Sequence, residues 1–277
     1  MRRSTKRLSL FAICVGSAFL TLPAWAGSGP GQGIIGTAHD FTKPGTSGYY
    51  AGAYAGSASI CVFCHIQHRF GAAGGDPTVK TRLLWNHKMS SQTFNWGDVS
   101  TTVGGTQLPA DLNATIGVSK LCLGCHDGTV SVGDLYRSPG SKGAELTDVW
   151  TGSHINANGF MQSSARIGQN SGDLTGNHPV AIPFPYNNTP STYNGITTGA
   201  GVNLTDYIGN PVNVKLFTDV GGDFVQGATA GSTGIECASC HDPHNKHTLD
   251  FHFLRDYYQE STGAPSKICL DCHNKGN

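Results

Sequence analysis

The chain has 277 residues, balances 18 basic against 18 acidic side chains, and is only 13% charged. Four of the basic residues, Arg2, Arg3, Lys6 and Arg7, stand at the extreme N-terminus, which leaves 14 basic against 18 acidic residues and a net charge of −4 beyond it. An anionic body excludes the polyanion-binding classes, and 38 glycines with few periodic apolar runs exclude an ordinary helical core.

Residues 1–26 are expected to be a secretory signal peptide. "MRRSTKR" is the basic opening, "LSLFAICVGSAFL" the apolar run, and Ala24 and Ala26 the small residues before cleavage at Gly27. The run is short for a membrane span. Cys14, the ninth cysteine, leaves with it, so the mature chain is expected to be exported and to carry no span.

The other eight cysteines form four C-x-x-C pairs: Cys61/Cys64, Cys122/Cys125, Cys237/Cys240 and Cys269/Cys272. A histidine follows each pair at once: His65, His126, His241 and His273. C-x-x-C-H is the attachment signal for c-type haem. Two thiols at this spacing reach the two vinyl groups on one haem edge, and the adjacent histidine lies under the iron as proximal ligand. Zinc sites built of cysteines alone and redox disulfides also use C-x-x-C, but neither calls for a histidine after every pair. Four covalently bound haem c groups are therefore the expected cofactors.

The cassettes alternate in kind. "CVFCHIQH" (61–68) and "CASCHDPH" (237–244) share C-x-x-C-H-x-x-H, whereas 119–126 and 266–273 share S-K-x-C-L-x-C-H. This order predicts a duplicated dihaem unit: a first module over 27–135, a haem-free connecting segment rich in Gly, Asn and Thr over 136–236, and a second module over 237–277. The connecting segment carries His178 and reads as ordered coil wrapped over the haems, with a short strand expected within "NPVNVKLFTDV" (210–220). The expected fold class is a multihaem cytochrome c: mostly coil, short helices around the haems, little regular secondary structure, and a core stapled by the porphyrins.

Each iron has a sixth position. Histidine there gives a low-spin carrier, methionine raises the potential, and an open position admits substrate. Met89 and Met161 are the methionines beyond the leader, against eight further histidines, so bis-histidine ligation is the economical reading. Four distal ligands are expected from His39, His68, His87, His178 and His244, while His154, His247 and His252 are weaker candidates. His68 and His244 occupy the same place in their cassettes, each too near its own proximal histidine to share an iron with it. His87 is expected to have its second-module counterpart in His247 or His252. No catalytic residue is expected.

The stretches "GTAHDF" (36–41), "ICVFCHIQH" (60–68), "LLWNH" (83–87), "SKLCLGCHDGTVSV" (119–132), "NHPV" (177–180), "ECASCHDPHN" (236–245), "FLR" (253–255) and "ICLDCHNK" (268–275) together resemble an exported family of multihaem c-type cytochromes with paired C-x-x-C-H motifs. Tetrahaem subunits of extracellular cytochrome filaments are similar. Gln67 departs from the family's usual proline. The resemblance implies electron transfer as a filament subunit at the cell surface, with envelope redox proteins, other copies of the chain and an extracellular acceptor as partners. It implies that an axial histidine can come from a neighbouring copy. The alternatives are a soluble periplasmic shuttle and, further off, a multihaem reductase with an open haem site.

Overall fold

The computed structural model describes residues 29–42, 49–50, 60–66, 85–96, 101–109, 112, 117–138, 141–142, 150–162, 166–168, 172–258 and 266–274. The expected leader (1–26) and His68 lie outside the described residues. No helix among them is long and apolar enough to cross a membrane.

In chain order the elements are β1 (Tyr49–Tyr50), α1 (Val118–His126), β2 (Arg137–Ser138), β3 (Ser141–Lys142), β4 (Trp150–Thr151), β5 (Ile182–Pro183), β6 (Thr192–Tyr193), β7 (Ile196–Thr197), β8 (Phe217–Val220), β9 (Asp223–Gln226), β10 (Thr233–Ile235), α2 (Cys237–Cys240) and α3 (Lys267–Leu270). A four-stranded antiparallel sheet runs in the order β5-β10-β8-β9, and three two-stranded ladders pair β1 with β4, β2 with β3, and β6 with β7. This corrects the expected fold class. The chain is not mostly coil with little regular secondary structure. Among the described residues it is a β-containing fold with three short helices, and the segment expected to be coil, 136–236, carries β2 through β10.

Turn chemistry explains where the strands lie. β8 and β9 are joined by Gly221 and Gly222, both at positive φ (65° and 91°), and β6 and β7 by Asn194 and Gly195 (55° and 71°). Two left-handed residues in a two-residue loop match the twist of the flanking strands, which is why Gly-Gly and Asn-Gly mark hairpins. The strand expected within 210–220 is present as β8, in register with β9 from Phe217↔Gln226 to Val220↔Asp223.

The core, too, differs from the porphyrin-stapled one expected. Buried apolar side chains gather in three clusters of protein. One groups Phe41, Phe63, Leu135, Trp150 and Met161. A second groups Phe94, Trp96, Leu112, Leu123 and Leu174. A third sets Tyr193 and Phe217 against Ala238. The glycines that lowered the apolar count are in part what lets these clusters close. A Cβ on Gly234 of β10 would enter the Tyr193 ring and stand 2.6 Å from the Ile182 carbonyl oxygen. Gly234→Ala is therefore expected to cost about 1–3 kcal/mol by overpacking, read as a lowered denaturation midpoint with unchanged slope.

The sheet leads directly to the sequence motifs. β10 ends at Ile235, with a single residue between it and the start of α2 at Cys237. The intervening Glu236 accepts from the Ser239 end of α2, and its own N–H donates to Ser239 Oγ (2.9 Å). That reciprocal cap satisfies donors the first turn would leave unpaired.

Candidate functional site

Each cassette occupies about one tight turn of backbone. The first lies on a 3₁₀ turn (Ile60–Phe63), the second within α1, the third on α2 and the fourth on α3 with the turn that follows. The histidine N–H returns to the first cysteine's carbonyl in three of them: His65 to Cys61 (2.7 Å), His241 to Cys237 (3.0 Å) and His273 to Cys269 (2.8 Å). A helical turn of this kind stacks positions i, i+3 and i+4 on one face. It therefore turns both thiols and the imidazole toward one volume.

The histidines then meet in pairs. His39 and His126 have ring centroids 6.1 Å apart, His65 and His244 6.1 Å, and His178 and His273 6.2 Å. Each pair joins one cassette histidine to one candidate distal histidine. A metal–imidazole nitrogen bond is about 2 Å, so two rings facing each other across one ion have centroids about 6 Å apart. Among the described residues no group of three or more His, Cys, Asp or Glu converges as a ready metal site. Histidines in twos suit the two axial positions of a planar group that brings its own four equatorial donors. The residues fit haem on this test.

The second ring nitrogen is held where such ligands need it. His39 Nδ1 lies 3.2 Å from the Pro243 carbonyl, His178 Nδ1 2.8 Å from the Pro179 carbonyl, and His241 Nδ1 2.8 Å from the His252 carbonyl. A carbonyl takes the Nδ1 proton and leaves the Nε2 lone pair free, which fixes the tautomer of a ligating histidine. Burial, with His126 nearby, pushes His39 down to about 4. His241 also titrates low, chiefly through burial. Both are neutral, as a ligand must be.

His87 is different. It is fully buried, with Nδ1 2.7 Å from the Lys88 carbonyl and Nε2 2.8 Å from the Ser131 carbonyl. Burial pushes the His87 ring down, so it is neutral and donates to one of these carbonyls, while the lone pair of its other nitrogen faces the second carbonyl. It fastens the loop after α1 to residues 85–88. His68 lies outside the described residues, and among those described no second histidine ring stands opposite His241. His154, with a buried Nδ1 that meets no partner, joins none of the three pairs.

The cassettes succeed one another in space. Cys64 and Cys125 pack on the same apolar cluster. The Cys122 thiol, which donates to the Val118 carbonyl (3.5 Å), lies near the Cys237 thiol, and the interaction of the two raises the pKa of Cys122 and lowers that of Cys237. Burial, with Cys237 and Cys269 nearby, pushes Cys240 up to about 11. Cys272 rises to about 12 through burial and then Cys240, and Cys64 to about 12 through burial and then Cys61. No disulfide joins the eight. Reactive redox cysteines have depressed pKa values, and most of these thiols are pushed the other way.

Cassettes two and three are locked through Glu236, which is 1% exposed. Its carboxylate accepts from the Ser119 N–H (3.0 Å), from the Ser119 hydroxyl and from the Tyr193 hydroxyl (2.8 Å). Ser119 Oγ in turn accepts from the Cys237 N–H (2.9 Å). Burial pushes the Glu236 carboxyl up. Cassette four is held by Asp271, which takes the N–H groups of Val212, Asn213 and Val214 at 2.6–2.9 Å. Neither carboxylate stands out in the sequence. Glu236 just before Cys237 and Asp271 inside C-L-D-C were the available signals.

The two C-x-x-C-H-x-x-H cassettes share a backbone arrangement. A returning segment bridges each C-x-x-C-H-x-x-H cassette, His65↔Trp85 in the first module and His241↔Leu254 in the second. The next residue donates its N–H to the second cysteine's carbonyl, Asn86 to Cys64 and Arg255 to Cys240, both at 2.9 Å. Its side chain donates to the carbonyl after the first cysteine, Asn86 to Val62 (2.7 Å) and Arg255 to Ala238 (3.2 Å). In this register the counterpart of His87 is Asp256, not the expected His247 or His252. His252 and Phe253 both lie at positive φ (58° and 60°), which strains residues of this bulk. That conformation holds the His252 carbonyl on His241 and the Phe253 ring stacked on His39 at 4.6 Å.

No protein-family model matches the chain, and no curated protein matches it.

Proposed function

We propose that the chain is an exported tetrahaem c-type cytochrome that carries electrons, with eight cysteine thioethers and mostly histidine pairs holding the haems. The observation that carries this reading is the meeting of His126, His65 and His273 with His39, His244 and His178 at 6.1–6.2 Å. A bis-histidine haem, when bound, supplies reversible one-electron exchange at its iron without bond making or breaking. The chain's residues bind and orient. The cysteines attach the group, the Pro243, Pro179 and His252 carbonyls set the ring tautomers, Glu236 locks the second cassette to the third, and Asp271 anchors the fourth to residues 212–214. Succession of the four cassettes in space supports a row of closely spaced centres rather than isolated ones.

Attachment is tested by counting haem. Protein matured in a cytochrome-c-assembling host is expected to carry four haems per chain, and the double variant Cys237→Ser/Cys240→Ser three. Bound zinc in place of haem, or a chain free of haem in that host, would overturn the reading.

The finer proposal, a subunit of an extracellular filament, rests on the sequence resemblance and has one supporting feature. Leu249, Phe251, Tyr257 and Tyr258 form an exposed apolar stretch beside the third cassette, from 43% to 69% accessible, which suits contact with another copy. Electron microscopy of protein sheared from expressing cells is expected to show haem-bearing filaments. Monomers confined to the periplasm would instead make it a soluble shuttle.

A further inference from the structure

The two modules share the backbone clamp described above but differ in what fills it. In the first, the residue after the cassette histidine is Ile66, buried at 8% exposure, and the clamp side chain is Asn86. In the second, the same two places hold Asp242 and Arg255, 4% and 7% exposed. A neutral pair in one copy stands as a buried ion pair in the other. Arg255 Nη1 lies 3.7 Å from Asp242 Oδ2, while Arg255 Nε donates to the Ala238 carbonyl inside the C-x-x-C loop. Asp242 follows His241 directly. Its carboxylate also accepts the N–H groups of His244, Lys246 and His247 at 2.8–3.2 Å.

Burying two charges is costly, and apolar replacements of similar volume are often as stable. In the first module the same clamp closes with Ile66 and Asn86 in those places, so the clamp itself does not require the ion pair. Both charges touch the loop that carries two cysteines and a proximal histidine, in surroundings where charge acts more strongly than in water. Adding an electron to a centre is favoured by a nearby positive charge and opposed by a nearby negative one.

We infer that Asp242 and Arg255 are positioning residues that set the reduction potential of the third centre apart from that of the first, the centre held by the same clamp with Ile66 and Asn86. This inference rests on the tetrahaem reading. The duplicated clamp preserves ligand geometry, and the ion pair breaks the electrical symmetry between the copies, giving the row of centres a direction.

The test is potentiometry of the purified four-haem protein followed by optical spectroscopy, with haem content and spin state measured first. Arg255→Gln is expected to move one of the four one-electron transitions to lower potential and leave three in place. Arg255→Lys, which keeps the charge, is expected to hold that transition near its original value. Asp242→Asn is expected to move the same transition upward, so the inference can be tested even if Arg255→Gln does not accumulate. Shifts of the same sign in Arg255→Gln and Asp242→Asn, or no shift in either, with four low-spin haems retained, would overturn the inference and leave the tetrahaem reading intact. Absence of haem in the parent protein would overturn both.

Discussion

His178→Ala is expected to turn one iron of the four from low-spin to high-spin, with four haems still attached. His178 contributes only a ring to its pair. Its Nδ1 is held by the carbonyl of the neighbouring Pro179, and its surface is exposed. Its loss therefore removes a distal ligand without opening a core. The reading is a high-spin ferric signal from about one quarter of the iron, and carbon monoxide binding by the reduced protein, where the parent shows neither from this centre. His87→Ala is the informative contrast. That ring is buried with both nitrogens on carbonyls, so its removal is expected to leave the spin states unchanged. It should cost about 1–3 kcal/mol for the one carbonyl left without a donor. A high-spin centre in His87→Ala would restore His87 as a ligand and contradict the placement described above.

Glu236→Ala is expected to be the most destabilising single change between the cassettes, by about 3 kcal/mol or more. The substitution strands the Ser119 N–H, the Tyr193 hydroxyl and the Ser119 hydroxyl in a buried place. Denaturant unfolding of the haem-loaded protein reads the loss. Glu236→Gln keeps an acceptor and should cost less. It should also change the pH dependence. Burial raises the folded-state pKa of Glu236 above 4.5, so the unfolded chain ionises first as pH rises. The parent therefore loses stability relative to Glu236→Gln from about pH 4.5 up to the folded-state pKa.

The cassettes were plain in the sequence because each packs its two cysteines and its histidine into five adjacent positions. His39, His178 and His244 were legible as distal candidates from the cassette repeat and the family resemblance, which picked five of the eight further histidines. Their partners were not. His244 belongs to the second module yet faces His65 of the first, and His178 of the connecting segment faces His273. Pairing across modules is a property of the folded chain, not of spacing. His87 reads like the others in sequence, and only the fold sets its ring nitrogens against the Lys88 and Ser131 carbonyls. The sheet was missed for a different reason. Strands of two to four residues carry almost no period of their own, and the Gly, Asn and Thr content of 136–236 read as coil. The hairpin signals were nevertheless there, at Asn194-Gly195 and Gly221-Gly222. The duplicated clamp could not be seen in the sequence at all, since Trp85 and Leu254, or Asn86 and Arg255, share no chemistry. They share only a place in the backbone bonding.

The most direct measurement is the density of the haem-loaded protein, with iron located by its anomalous scattering. The account predicts four irons in a row following the cassettes in chain order, three of them midway between His126 and His39, His65 and His244, and His273 and His178. Iron beside the cassette histidines with those partner rings turned away, or a metal held by the cysteine thiolates alone, would contradict it.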